Sequence, residues 1–85
     1  MRKIVVVTTE AGMAYGLNTD TRSMHWALDI GKFESSKIIM LEHPVLILDK
    51  KYFVDVVTIS LTTGEILKSE SIINFDLAQT IVSNN

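Results

Sequence analysis

Apolar and polar positions along this chain fall into short runs with the two-residue period of β-strands, broken by turn-forming residues. Ile4-Val5-Val6-Val7-Thr8-Thr9 is the clearest run, because stiff β-branched side chains suit a pleated surface. Its near-continuous apolarity predicts burial on both faces and a central place in a sheet. From Glu10 to Asn18, Gly12 and Gly16 stand among small residues, and the stretch reads as a loop or irregular edge.

Asp20 to Gly31 supports two readings equally. Met24, Trp26, Leu28 and Ile30 alternate with His25, Ala27 and Asp29, as in a strand. Alternatively, Asp20 or Thr21 caps a short helix that Gly31 ends, with Met24, Ala27, Leu28 and Gly31 on one face. Beyond it, Lys37–Leu41 predicts a strand that stops at His43-Pro44, where proline removes a ladder amide. Val45–Leu48 predicts the next strand, closed by a polar turn at Asp49-Lys50-Lys51.

Tyr52–Leu61 is β-rich but changes parity. Tyr52, Val54 and Val56 share one phase, while Val57, Ile59 and Leu61 share the other, which predicts a bulge near Val56-Val57. That bulge would turn Asp55 outward; pointing inward, it would need a partner such as Lys37 or a backbone donor. Thr62-Thr63-Gly64-Glu65 then predicts a tight hairpin with Gly64 at positive φ. The return strand, Ile66–Ile73, carries Lys68, Ser69, Glu70 and Ser71 and reads as an exposed edge. Asn74 is placed to cap a short helix from Phe75 to about Val82, with Leu77, Ala78, Ile81 and Val82 on one stripe.

These elements predict one domain spanning residues 1–85, of α+β class and mainly antiparallel β. The expected form is a small curled sheet, or a partly open barrel resembling the SH3-like architecture, with a short C-terminal helix. Apolar residues make up 47% of the chain, rich for so small a protein, so some should remain exposed as a contact surface. The absence of cysteine excludes disulfides and thiolate metal sites and favours a reducing, cytoplasmic setting. The N-terminal apolar run of Ile4–Val7 is too short for a signal-peptide core or a membrane span.

Net charge is −2, and the eight Lys and Arg residues are scattered, which argues against phosphate-backbone binding. Lys50, Lys51 and Tyr52, with Phe53, form the one cation–aromatic cluster and are the candidate contacts for a single-stranded nucleic acid. The favoured expectation for Tyr52 and Phe53, as for Tyr15, Trp26, Phe33 and Phe75, is that the rings fill the core. Either His25 or His43 could act as a general base beside Asp20, Asp29 or Glu42, in a small enzyme or nucleotide-binding protein. Neither lies in a metal-ligand motif, and the GxxxG spacing of Gly12 and Gly16 lacks the Lys-Ser or Lys-Thr of a phosphate loop. No catalytic set, metal site or cofactor follows from the sequence. The favoured expectation is a non-enzymatic protein-binding module, accessory or inhibitory in role, that pairs with a protein partner or forms a homodimer. Its candidate contact residues are Ile66, Lys68 and Glu70 on the edge strand, together with Trp26.

Overall fold

The computed structural model describes residues 3–74, which form seven strands and two antiparallel sheets. The first sheet is the meander β1 (Ile4–Thr9), β2 (Met13–Asn18) and β3 (Ser23–Asp29). The second is the meander β4 (Ser35–Ile39), β5 (Val45–Asp49), β6 (Phe53–Ile59) and β7 (Ile66–Ile73). Within each sheet every strand therefore pairs with its neighbours in sequence, as tight polar turns favour.

Several expectations change. The described residues are all-β and antiparallel, and the strands divide into two sheets between β3 and β4 instead of forming one curled sheet or a partly open SH3-like barrel. The C-terminal helix expected from Phe75 lies outside the described residues. The stretch from Asp20 to Gly31 resolves as a strand, β3. β1 is an edge and not a central strand, and it is buried on one face only, since Val5 and Val7 face outward and are 43% and 36% exposed.

The expected loop after β1 is instead a short turn followed by β2. In β2 the small residues Ala14 and Gly16 point inward, while Met13, Tyr15 and Leu17 lie half-buried on the outer side. Small side chains are needed there because the Trp26 ring lies against Gly16; a Cβ at that position would overlap the indole. The same ring is met from the other side by the β6–β7 turn. Gly64 takes φ +73°, as a tight hairpin requires, and a Cβ on it would lie 2.5 Å from the indole. Trp26 Nε1 donates a 2.7 Å hydrogen bond to the Leu61 carbonyl, so the buried ring leaves no donor unpaired.

Around this wedge the core draws on one face of each sheet. Val6, Ala14, Trp26 and Ile30 come from the first sheet and its exit; Leu46, Leu48, Val57 and Ile59 come from the second. Phe33, in the link between the sheets, packs against the cluster. Thr8 and Ser36 join β1 to β4 through a 2.7 Å hydroxyl–hydroxyl hydrogen bond.

The bulge expected near Val56-Val57 is absent: β6 pairs with β5 in unbroken register from Val54 to Thr58. Asp55, Val57 and Ile59 lie on the core side, and Val54 and Val56 lie on the outer face. The register slips between Thr58 and Ile59, where Leu67 of β7 is left without an opposite residue. Asp55 therefore faces inward.

If Trp26 is the wedge, Gly16→Ala should destabilise the fold by about 1–3 kcal/mol through overpacking. Gly64→Ala should cost more, because it adds the left-handed backbone penalty of about 1–2 kcal/mol. Urea denaturation measures both. A neutral Gly16→Ala would show that the indole is not held there.

Candidate functional site

The inward Asp55 organises a polar cluster at one end of the second sheet. Its carboxylate accepts a 2.6 Å hydrogen bond from Ser71 Oγ on β7 and lies 3.1 Å from Lys50 Nζ. Lys50 also donates a 2.8 Å hydrogen bond to the Ile30 carbonyl, at the exit of β3. Its partner is thus Lys50, from the β5–β6 turn, and not Lys37. That turn is set by Asp49, whose carboxylate accepts from the Lys51 amide at 2.9 Å, with Lys51 at φ +77°. Burial works against the Asp55 carboxylate, but the Ser71 hydroxyl and the Lys50 ammonium outweigh it and hold its pKa below the usual carboxylate value.

Occupied in this way, Lys50 is not presented to a ligand. Lys50, Lys51 and Tyr52 do border one open cleft of about 380 Å³, together with Lys32 and Phe33. Glu10 and Glu34 share its wall and offset the lysines, and the Lys51 ammonium sits 5.2 Å from the centre of the Tyr52 ring. The chemistry is that of a mixed-charge turn, without the run of free cations that tracks a phosphate backbone.

Among the described residues neither histidine is joined to a carboxylate by an ion pair or hydrogen bond, although His43 and Glu42 border one cleft. His25 is exposed on β3, where the shift between Gly16 and Leu17 leaves it without an opposite residue. His43 is exposed in the β4–β5 link and lines an open cleft of about 320 Å³ with Glu42, Ser60, Leu61 and Thr62. Among the described residues no hydrogen bond or ion pair orients either imidazole, and no group of three or more His, Asp or Glu residues is placed to hold a metal ion.

The candidate contact residues separate. Trp26 is 7% exposed and belongs to the core. Ile66, Lys68 and Glu70 lie on β7, the outermost strand of the second sheet, and all eight residues of that strand are exposed. Ile66, Leu67, Ile72 and Ile73 are 47–63% exposed, a large aliphatic area for a free edge. Lys68 and Glu70 point to the outer face, opposite Thr58 and Val56, and pair with each other at 3.2 Å.

A second apolar surface was not visible in the sequence. On the outer side of the first sheet, Val5, Leu17 and Met24 line up across the strands, and Val7, Tyr15 and Ala27 form the next row. No charge interrupts these two rows. The signal that could have revealed them is the apolar alternation of Met13, Tyr15 and Leu17, once residues 13–18 are taken as a strand. Tyr52 and Phe53 are also exposed, at 54% and 39%, and so do not fill the core as expected. No helix among the described residues is long and apolar enough to cross a membrane.

Asp55→Asn should lower stability at neutral pH by about 1–3 kcal/mol, leaving Lys50 and Ser71 without their anion. The depressed pKa means that this contribution is present above the unfolded aspartate value of about 3.9 and is lost as pH falls through the folded value. Thermal melts from pH 7 to pH 2 should therefore show the two proteins converging below about pH 4; a constant gap would assign the loss to packing. In comparison with known proteins, no family model and no curated sequence matches the chain.

Proposed function

We propose that the chain is a non-enzymatic binding module that contacts another protein along the free edge of β7. One observation carries this reading: β7 is an eight-residue edge strand with every residue exposed, four of them large and aliphatic. Its outward amide and carbonyl groups are a template for an added strand, and flanking side chains supply selectivity. Lys68 and Glu70 act as selectors, since a strand that opposes them with like charge is disfavoured. The uncharged rows Val5–Leu17–Met24 and Val7–Tyr15–Ala27 add support for a life in contact with protein.

The experiment is site-specific photo-crosslinking. A photoreactive residue in place of Leu67 should yield a covalent protein adduct, whether with another chain of this protein or a different one. The same residue in place of Asp20, in the exposed β2–β3 turn, should not. Adding Glu70→Lys, which reverses one of the two selecting charges, should strongly weaken the Leu67 adduct while leaving the melting temperature within about 2 °C, as expected of an exposed position. No adduct at Leu67, or equal adducts at both positions, would overturn the proposal.

A further inference from the structure

The β7 edge carries information about what it pairs with. An antiparallel pair of identical strands has a two-fold axis through one residue, and residues equidistant from that axis face each other on the same side of the sheet. Placed at Lys68 or Glu70, the axis sets a charge against its own copy. Placed at Leu67 or Ser71, it sets each charge against an uncharged or aliphatic side chain. Placed at Ser69, it sets Lys68 against Glu70 of the second chain and Glu70 against its Lys68, because Lys68-Ser69-Glu70 is charge-complementary to its own reverse.

Resting on the β7 reading above, we infer that the occupant of this edge is a second copy of this chain, paired antiparallel about Ser69. Both copies keep their outer faces on one side, so the two four-stranded sheets join into one continuous sheet of eight strands. Lys68 and Glu70, which hold each other at 3.2 Å within one strand, become a ladder of alternating charge across the axis. The Leu67 irregularity marks where regular pairing ends on each side.

Charge reversal and a cysteine scan test the register. Sedimentation of the purified chain should show a concentration-dependent dimer. Lys68→Glu and Glu70→Lys should each weaken it about tenfold, because both cross-axis pairs become repulsive. The double reversal should restore wild-type affinity, and mixing the two single variants should give a heterodimer, since each supplies what the other lost. The chain has no cysteine, so Ser69→Cys should oxidise to a disulfide-linked dimer while Glu65→Cys, four residues from the axis, should not. A monomer at every concentration, or a dimer indifferent to both reversals and to Ser69→Cys oxidation, would overturn the inference. If the Leu67 crosslink then captures only a different protein, the contact role of β7 survives and the self-pairing does not; if it captures nothing, both fail.

Discussion

The two sheets depend on one indole ring. Trp26 occupies the space between a strand of the first sheet and the final turn of the second, and both places are glycine, Gly16 and Gly64. With Cβ atoms there, the ring could not sit between them, and the core residues on the two inner faces would lose their common centre. The Leu61 carbonyl accepts the indole hydrogen, which fixes the ring's orientation as well as its depth. A protein of this size has few ways to secure two sheets without disulfides, and a single large side chain held by backbone on two sides is an economical one.

The second inter-sheet tie is polar. Lys50 links the exit of the first sheet, through the Ile30 carbonyl, to Asp55 on β6 and from there to Ser71 on β7. This fastens the end of β7 to the body of the protein through groups that are only 16–19% exposed at the ion pair. The edge strand is thus held in place while its outer side stays open. A strand that is ordered and unpaired is a better template than one that must be ordered on binding, because the entropy cost has already been met.

The sequence made some of this visible and concealed the rest for physical reasons. The hairpin at Gly64 was legible because positive φ in a tight turn selects glycine, and the β7 edge was legible because charges interrupt an otherwise aliphatic run. β2 was hidden because its inward residues are Ala14 and Gly16. The smallness of Gly16 answers to Trp26, ten residues away in sequence, and no local pattern reports that demand. The central placement expected for β1 fails because the outer face of the first sheet is itself apolar, so continuous hydrophobicity did not mean burial on both sides. Asp55 was misplaced because β6 alternates without a bulge and its outer face is itself apolar, carrying Val54 and Val56, so an apolar phase did not mark the core side.

These features describe a molecule that spends part of its apolar surface outward, on the first sheet's outer face and along β7. The central claim, that β7 is completed by a second copy, is tested most directly by hydrogen exchange measured over a range of protein concentrations. The account predicts that amides of β7 directed away from β6 become slower to exchange as concentration rises, while those on β4, the opposite edge of the same sheet, keep their rates. Exchange on β7 that is equally fast at every concentration would contradict it.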